Sequence, residues 1–362
     1  MGEQVRYGLV GTGMMGVEHI NNLAITPGAV VTAIADPTQS SLGWAKTALK
    51  DCTEGVTAFD DAAALAASGL CDAVIVASPN YTHREVLVPL FDAGLHILCE
   101  KPLATTIDDA RWIADRARQS DKVFWTAMEY RYMPPAAEFI ADIHAGTIGR
   151  LQMLSIREHR FPFLVKVGDW NRFSRNTGGT MVEKCCHFFD LMRLITRSEA
   201  VRVYCSGAMD VNHLDKDYGG ARPDIIDNSY TTVDFANGVR AMLDLSMFAD
   251  GAENQEEITA VGDAARLDVF IPEGAIVHSP RVGFRNPKRP SRRVIEVDAA
   301  ALEAGSHHGS TFYEHQRFNA AVRGAGPVEV TAHDGLMAVA IGAAAELSAR
   351  EKRVVTMAEL GI

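Results

Sequence analysis

The sequence predicts an α/β protein in two parts: a doubly wound parallel sheet, then an α+β domain with a large, open, mostly antiparallel sheet. In the first 127 residues, short apolar segments alternate with helical ones, which is typical of a parallel sheet covered on both faces. After residue 150, long extended segments follow one another through tight turns, which indicates hairpins in series. We therefore expect one domain at 1–127 and a second at 128–362.

Five apolar segments of the first part indicate buried strands, and a sixth is a weaker candidate. The strands are expected at Arg6–Val10, Val30–Asp36, Ala73–Ala77, His96–Cys99 and Val123–Ala127, with the weaker one at Val56–Phe59. The helices between them are expected at Met14–Ile25, Gln39–Leu49, Asp60–Ala67, His83–Ala93 and Ile107–Gln119. Asp60 or Asp61 can cap the third helix, and Gly94 stands where a helix-ending glycine belongs.

The second part predicts six strands and three helices. The strands are expected at Leu151–Arg160, Ala200–Met209, Asn228–Ala236, Val239–Phe248, Glu256–Gly262 and Ala264–Ile271, and the helices at Glu183–Ile195, Phe312–Arg323 and Asp334–Arg350. Asn237-Gly238 predicts a two-residue hairpin with a type I′ turn. An open sheet of this size favours association through its free face, so we expect a homodimer or homotetramer.

Composition excludes several classes of protein. Of the 362 residues, 47% are hydrophobic and 22% charged, as in ordinary globular proteins. No apolar run approaches the ~18 residues of a membrane span, and no secretory segment precedes the first strand. A net charge of −11 argues against nucleic acid or an anionic membrane as the partner. The six cysteines form no C-x-x-C framework, so we expect thiols and a cytoplasmic protein.

One basic segment departs from the acidic composition. Residues 281–293 carry six cations and no acidic residue. A solvated, proline-containing loop explains this, and so does a position near an anionic ligand or an acidic neighbouring subunit.

The segment Gly11-Thr-Gly13-Met14-Met15-Gly16 follows the first strand and opens the first helix. In this context Gly11 permits a tight turn, Gly13 lets the backbone approach a pyrophosphate, and Gly16 lets helix and strand pack closely. The helix beginning at Met14 directs N–H groups and its positive dipole end at the phosphates. The pattern predicts a dinucleotide-binding loop.

Asp36 ends the second strand, 20 residues after Gly16. A carboxylate at this position accepts hydrogen bonds from the adenosine ribose and repels a 2′-phosphate. The following residues, Pro37–Ser41, include no Arg or Lys, and Lys46 lies a helical turn too far along. The sequence therefore favours NAD, with NADP less favoured.

Cys99-Glu100-Lys101-Pro102 directly follows a predicted strand of the parallel sheet. Ligands of such sheets lie beyond the carboxyl ends of the strands, so Lys101 is expected near the nicotinamide. The proline restricts the backbone and allows a cis peptide bond. A lysine beside a substrate hydroxyl could favour the alkoxide, although a plain surface charge at a strand end also explains Lys101.

Glu183 and His187 are four residues apart in a predicted helix that two glycines precede. That spacing places them on one face, where histidine is suited to accept a hydroxyl proton and Glu183 could orient it or hold a second hydroxyl. A capped helix with a packed histidine is an alternative. A metal site of Glu183, His187 and Asp190 is another, but no second cluster completes it, so we expect no metal.

Taken together, the motifs resemble the glucose–fructose oxidoreductase and inositol dehydrogenase family over essentially the whole chain. They follow the family's order: Gly11-x-Gly13-x-x-Gly16, Ala77-Ser78-Pro-Asn80-Tyr-Thr-His83, Glu100-Lys101-Pro102, Tyr130-Arg131-x-x-Pro134, and Gly178-Gly179 with His187 and Asp190. The resemblance implies an N-terminal Rossmann domain and a C-terminal α/β domain whose sheet often mediates oligomers.

The resemblance also implies roles for individual residues. Lys101 would position and polarise the substrate hydroxyl, and His187 would take its proton while hydride passes to NAD. Asn80 would lie close to the nicotinamide half of the cofactor, and Glu100 would help hold the cofactor side of the pocket. Ser78 and His83 of the same motif are also expected to bind the cofactor.

Further substrate contacts are expected from polar side chains around the predicted cleft. The segment before the Glu183 helix offers His159, Arg160, Lys166, Asp169, Trp170, Asn171 and Asn176, a mixture that suits a sugar. Tyr130 and Arg131 are further candidates. The group His307, His308, Tyr313 and His315 is expected either to contact substrate or to lie on the surface.

One position departs from the family pattern. The residue four before the histidine is usually Asp in its polyol dehydrogenases, whereas this chain has Glu183, followed by Lys184 and two cysteines. A salt bridge from Lys184 could occupy Glu183. We expect an NAD-dependent dehydrogenase oxidising a secondary hydroxyl of a sugar, anhydrosugar, glycoside or cyclitol. The alternatives are a carbonyl reductase on the same scaffold and a non-catalytic NAD-binding sensor.

Overall fold

The computed structural model describes residues 4–50 and 55–362. Their contacts divide the chain into two compact units. The first holds the described residues up to Tyr132 together with Lys166–Trp170 and Val297–Val339, and the second holds Met133–Val165, Asn171–Glu296 and Ala340–Ile362. The expected boundary at residues 127 and 128 stays a prediction.

The first unit is built on a six-stranded parallel sheet. Its strands are β1 Val5–Val10, β2 Ala29–Ala35, β3 Thr57–Phe59, β4 Ala73–Val76, β5 His96–Glu100 and β6 Phe124–Ala127. They lie in the order β3-β2-β1-β4-β5-β6, and every pair is parallel. This is the doubly wound order, in which the loops after β1, β4 and β5 meet at one edge. All six expected strands are present, the weak candidate as β3.

Five helices connect these strands: α1 Met14–Ala24, α2 Gln39–Leu49, α3 Ala62–Ala67, α4 His83–Asp92 and α5 Ile107–Gln119. The Asp61 side chain caps α3 by accepting a hydrogen bond from Ala64 N–H at 2.8 Å. Gly94 follows α4 with φ of +65°, a conformation that glycine adopts without steric cost. These termini agree with the sequence prediction.

The second unit contains a nine-stranded sheet. Its strands are β7 Leu151–His159, β8 Ala200–Ala208, β9 Asn228–Phe235, β10 Arg240–Ser246, β11 Glu256–Gly262, β12 Ala265–Ile271, β13 Ala275–Pro280, β14 Ser291–Val294 and β15 Val355–Thr356. The order is β14-β13-β12-β11-β7-β10-β9-β8-β15, with β7 and β10 parallel and the other pairs antiparallel. The mostly antiparallel sheet is confirmed, and β13, β14 and β15 extend it beyond the six expected strands.

The last part of the basic segment 281–293 is strand rather than loop. β14 begins at Ser291 and pairs with β13, and all of its side chains are exposed. Arg293 forms an ion pair with Asp142 at 2.7 Å, and Arg292 pairs with Glu273. Sequence reasoning missed this strand because it lacks the apolar alternation of a half-buried one.

The remaining helices are α6 Pro134–His144, α7 Ser174–Thr177, α8 Thr180–Glu183, α9 Cys186–Thr196, α10 Ala299–Ala304, α11 Ser310–Val322 and α12 Ala332–Glu351. The single helix expected at Glu183–Ile195 is therefore wrong at its start, because α8 ends at Glu183 and α9 begins at Cys186. Two left-handed glycines, Gly178 and Gly179, precede α8, and its Met181 N–H donates to the buried Glu346 carboxyl at 3.0 Å. The first turn of α8 is thus held in place by the side chain of Glu346, a residue distant in sequence.

The β9–β10 hairpin is confirmed, but its turn is not type I′. The flanking pair closes with Phe235 N–H donating to Val239 carbonyl at 3.0 Å, which leaves a three-residue loop. Gly238 has a φ of +88°, whereas Asn237 is not among the residues with positive φ. Type I′ needs positive φ at both central residues, so this loop is the three-residue kind that ends in a glycine bulge.

Candidate active site

The glycine loop after β1 has the geometry of a phosphate cradle. A Cβ on Gly11, whose φ is +89°, would lie 2.4 Å from Ser78 N, and one on Gly16 would lie 2.3 Å from Gly11 carbonyl oxygen. At Gly13 a Cβ would meet nothing within 4 Å. Gly11 and Gly16 are therefore required by the packing of the loop itself, whereas Gly13 leaves the backbone open to a ligand.

The start of α1 is suited to an anion. Gly13 is its N-cap and provides no side-chain hydrogen bond, and no acidic residue lies in the first turn. Met14 is exposed and Met15 partly so. Backbone N–H groups of this turn and the helix dipole would bind the phosphates of a dinucleotide.

Asp36 is held at the end of β2 by the backbone on both sides. One carboxylate oxygen accepts hydrogen bonds from Thr12 N–H at 2.8 Å and Thr12 Oγ1 at 3.3 Å, and the other accepts from Thr38 N–H at 2.8 Å. A carboxylate can accept about four hydrogen bonds, so capacity for a ribose hydroxyl remains. The residues present fit an adenosine ribose.

The loop after β4 carries Ser78, Asn80 and His83. Asn80 is buried, and its Nδ2 has no hydrogen-bond partner among the described residues, so an amide donor is available for a ligand at this position. His83 is fully buried between the Ser78 and Pro102 carbonyls, each 3.1 Å from a ring nitrogen, and burial lowers the pKa of its ring. The imidazole therefore ties the loop after β4 to the loop after β5.

The loop after β5 carries Glu100 and Lys101. The Lys101–Pro102 peptide bond is cis, and the Lys101 side chain is partly exposed. Lys101 N–H donates to Glu100 Oε2 at 3.0 Å, and Glu100 Oε1 lies 2.9 Å from His19 Nε2. Because β1, β4 and β5 are neighbours, the glycine loop, Asn80 and Lys101 lie at the same edge of the sheet.

Tyr130 and Arg131 follow β6 in the first unit. Tyr130 is buried with its ring centroid 6.4 Å from that of His307. Arg131 donates to the Glu329 carbonyl at 3.0 Å and forms an ion pair with Asp334 at 3.6 Å. The Arg131 side chain therefore braces the C-terminal segment of this unit.

The four polar residues that are expected either to contact substrate or to lie on the surface are in α11 or just before it: His307, His308, Tyr313 and His315. His315 is not at the surface: it is fully buried and lies 3.0 Å from His19 Nδ1. His307 is paired with Glu18 at 2.8 Å, and this hydrogen bond outweighs burial and raises the pKa of His307. The surface alternative is therefore wrong for His315, because α11 packs against α1 in the same unit, whereas substrate contact stays a prediction.

The expected polar segment before α8 divides between the two units. Trp170 belongs to the first, where its ring lies against Tyr81 at 6.1 Å and Lys166 Nζ is 4.8 Å from the indole centroid. Arg160, Asn171 and Asn176 belong to the second. Asn171 is buried and donates to the Leu164 carbonyl at 3.0 Å.

His159 lies on the face of β7 opposite to that of Glu158. Along β7 it shares a face with the exposed Met153, and it pairs with Asp244 of β10 at 3.2 Å. Glu158, its neighbour, points to the buried face. The strand alternation therefore takes His159 to the opposite side of the sheet from Glu183 and His187.

Glu183, Lys184 and His187 are all buried at the junction of α8 and α9. Lys184 Nζ lies 3.0 Å from Glu158 Oε1, an ion pair that the sequence analysis did not anticipate. Its signal was Lys184 beside Glu183 in a stretch, Met181 to Cys186, whose other residues are apolar, because a buried lysine needs a counter-ion. Within residues 4–50 and 55–362, no group of three His, Cys, Asp or Glu side chains forms a metal cluster.

Glu256 completes this buried group. It stands directly opposite Glu158 in the β11–β7 ladder and accepts a hydrogen bond from Gln255 Nε2 at 2.6 Å. Burial and the negative charge of Glu158 raise the pKa of Glu256 to about 8. At neutral pH the Glu256 carboxyl therefore keeps its proton beside the ion pair of Lys184 and Glu158.

Two family models match the chain. Residues 5–128 match the NAD-binding Rossmann fold of an oxidoreductase family, and residues 140–357 match the C-terminal alpha/beta domain of the same family. The chain belongs to the glucose–fructose oxidoreductase and inositol dehydrogenase family. It is an oxidoreductase of this family with an NAD-binding Rossmann domain. Among the residues that the structure describes, no helix is long and apolar enough to cross a membrane.

Family members with assigned names include inositol dehydrogenases. The myo-inositol 2-dehydrogenase of Thermotoga maritima is 28% identical over 98% of this chain and 99% of its own length. The inositol 2-dehydrogenase of Corynebacterium glutamicum is 32% identical over 56% of this chain and 57% of its own length.

Solved structures share the fold over nearly the whole chain. A probable dehydrogenase from Thermotoga maritima has a TM-score of 0.79 at 25% identity and covers 98% of this chain and 99% of its own. A levoglucosan dehydrogenase in complex with NADH has a TM-score of 0.83 at 21% identity and covers 98% of this chain and 99% of its own.

Proposed function

We propose that the chain is an NAD-dependent dehydrogenase that oxidises a secondary hydroxyl of a cyclitol or sugar. The observation that carries the proposal is the edge of the first sheet, where the open backbone at Gly13, the unsatisfied Nδ2 of Asn80 and the anchored Lys101 lie together after β1, β4 and β5. The names of the relatives support the substrate class, because two of them are inositol 2-dehydrogenases.

The proposed cofactor would be held by residues of the first unit. Gly11, Gly13, Met14, Met15 and Gly16 would hold the pyrophosphate, Asp36 the adenosine ribose, and Ser78, Asn80 and His83 the loop beside the nicotinamide. Bound NAD would supply the hydride acceptor. Asp36 favours NAD over NADP, since its fixed negative charge would lie where a 2′-phosphate must fit.

The proposed chemistry needs two groups at the hydroxyl. The Lys101 ammonium donates a hydrogen bond to the hydroxyl oxygen and stabilises developing negative charge there. His187 accepts the hydroxyl proton as general base. Glu183 holds the imidazole or a second hydroxyl, and Lys184 forms an ion pair with Glu158.

The proposal assigns substrate specificity to several aromatic and polar side chains. Tyr130 and Trp170 offer aromatic faces to the C–H bonds of a ring, and Arg131, Arg160 and Asn176 offer hydrogen bonds to its hydroxyls. In this proposal residues 1–127 bind the cofactor, and residues 128–362 bind substrate and form the oligomer.

The exposed face of the nine-stranded sheet is the proposed oligomer interface. Met153, Tyr204, Tyr230 and Met242 lie on neighbouring strands of this face, each more than a third exposed. A second copy would cover them, as a homodimer or within a homotetramer. A cytoplasmic location is part of the proposal, supported by the five cysteines in the described part of the chain, which are buried free thiols.

The test is reduced-nicotinamide absorbance with NAD or NADP and a panel of inositols, sugars, anhydrosugars and glycosides. The expected result is NAD reduction with one subset of the panel, and its loss in His187→Asn but not in His333→Asn, a change at an exposed histidine. Oxidation of NADH by the matching ketones would measure the reverse direction. No turnover in either direction, with NAD binding shown by calorimetry, would contradict the proposal.

A further inference from the structure

A buried pair links α1 to the end of β5. His19 Nε2 lies 2.9 Å from Glu100 Oε1, with His19 fully buried and Glu100 5% exposed. The other carboxylate oxygen of Glu100 accepts the Lys101 N–H at 3.0 Å. Glu100 is therefore held from both sides. It directly precedes Lys101, the residue that contacts the reacting hydroxyl in the proposed function.

His315 of α11 adds a third residue to this hydrogen-bonded pair. Its Nε2 lies 3.0 Å from His19 Nδ1, and the two rings meet edge to face with centroids 5.1 Å apart. His315 Nδ1 is buried and has no hydrogen-bond partner in the described part of the chain. Burial and the neighbouring His19 lower the pKa of His315 well below its usual range, so this ring is neutral.

These contacts assign the protons. A buried N–H without an acceptor is costly, so the unpartnered His315 Nδ1 is the unprotonated nitrogen and His315 carries its proton on Nε2. That N–H faces His19 Nδ1 at 3.0 Å, and His19 Nε2 is the donor to the Glu100 carboxylate at 2.9 Å.

The surroundings single out Glu100 as the charged carboxylate. Burial raises its pKa, but the His19 hydrogen bond and the Lys101 charge outweigh burial and lower it below the ordinary value. Burial and neighbouring carboxylates raise the pKa of Glu129 and of Glu314. Among the described residues, further titratable groups that act on Glu100, Lys101 or Glu129 include His83, Cys99 and His307.

We propose that His19 and His315 are positioning residues, which hold Glu100 as a fixed anion so that Lys101 stays an ammonium group aimed at the substrate. The proposal rests on the proposed function only for the role of Lys101 in turnover. Independently of turnover, the proposal requires that His19 Nε2 donate an N–H hydrogen bond to Glu100.

The kinetic test compares His19→Leu, which removes the donor, with His19→Gln, which restores an N–H group. His19→Leu is expected to move the alkaline limb of kcat to lower pH by about one unit, a tenfold loss of proton affinity at Lys101, with NAD affinity unchanged. His19→Gln should recover most of the shift, and His315→Phe should produce part of it. A loss of kcat equal at every pH, or a Gln variant no better than Leu, would overturn the proposal.

A second measurement needs no turnover. In protein carrying 13C-labelled lysine, the Lys101 signal is assigned by its absence in Lys101→Arg and titrated in wild type, His19→Leu and His333→Gln. The Lys101 titration midpoint should fall in His19→Leu alone. A midpoint that does not move overturns the positioning role even in an active enzyme, whereas a shift without turnover on any substrate contradicts the proposed function alone.

Discussion

The ammonium of Lys184 lies 3.0 Å from Glu158 Oε1 in a place where both side chains are almost completely buried. Such a pair stabilises only as a pair, because removing one partner leaves a charge in a medium of low dielectric. Arg160 Nη1 is a second cation near this carboxylate, 3.7 Å from the same oxygen. The pair lies under the junction of α8 and α9, so it also supports the backbone that carries Glu183 and His187.

Lys184→Met is expected to lower the free energy of unfolding by about 3–5 kcal/mol, because it leaves the buried Glu158 carboxylate without its lysine counter-ion. The double variant Lys184→Met with Glu158→Leu should recover much of this loss by removing both charges. Urea unfolding followed by circular dichroism measures both. A double variant that is less stable than the single one would show that Glu158 has another essential partner.

The raised pKa of Glu256 makes stability depend on pH with a definite sign. The group titrates near 4.5 in the unfolded chain and near 8 in the folded one, so the folded state binds more protons between these values. Stability therefore falls as pH rises from about 4.5 to 8, by at most ~1.4 kcal/mol per pH unit for one proton. Glu346, whose burial raises its pKa to about 7, acts in the same direction.

Chemical unfolding at pH 5, 6, 7 and 8 measures this slope. Glu256→Gln should flatten it, and the double variant with Glu346→Gln should flatten it further. Glu253→Gln, at an exposed position, is the matched control and should leave the slope as in wild type. An unchanged slope in Glu256→Gln would mean that this carboxyl is ionised in the folded protein.

Features formed by residues close in sequence could be predicted, whereas contacts between residues distant in sequence could not. The glycine loop and Asp36 are encoded within 26 residues, and their spacing alone sets the geometry of one strand–helix–strand unit. The His19–His315 contact spans 296 residues, and Lys184–Glu158 depends on which face of β7 is covered. Asn237-Gly238 is compatible with two kinds of hairpin loop, so these two residues alone do not determine the turn type.

Lys101→Ala is expected to lower kcat by about 10²-fold or more, the size typical of a positioned acid–base group, while NAD affinity stays within twofold. The reason is that the Lys101 side chain is assigned to the substrate, whereas Glu100 keeps its contact with the backbone N–H of residue 101. Steady-state kinetics and calorimetric NAD titration separate the two effects. Lys288→Ala, at an exposed position, is the control, and equal kcat in both variants would remove Lys101 from the mechanism.

Asp36→Ala is expected to reduce kcat/KM with NAD by about 10- to 100-fold, the range for loss of a hydrogen bond to a charged group. The same change should improve kcat/KM with NADP, because it removes the negative charge opposite a 2′-phosphate. The ratio of the two values is the readout. Asp61→Ala, which removes the α3 cap instead, should lower stability without moving that ratio. A ratio that stays constant in Asp36→Ala would show that the ribose lies elsewhere.

A charge on the exposed face of the nine-stranded sheet should prevent association if that face joins two copies. Tyr230 is the most exposed of its four large apolar side chains, at 63%, so Tyr230→Glu would place a carboxylate inside the interface. Sedimentation velocity should show wild type at two or four times the mass of one chain and the variant at a lower multiple. Val211→Glu adds the same charge at an exposed apolar residue outside the strands and should leave the wild-type mass. A monomeric wild type, or a variant that assembles as wild type does, would contradict the proposed interface.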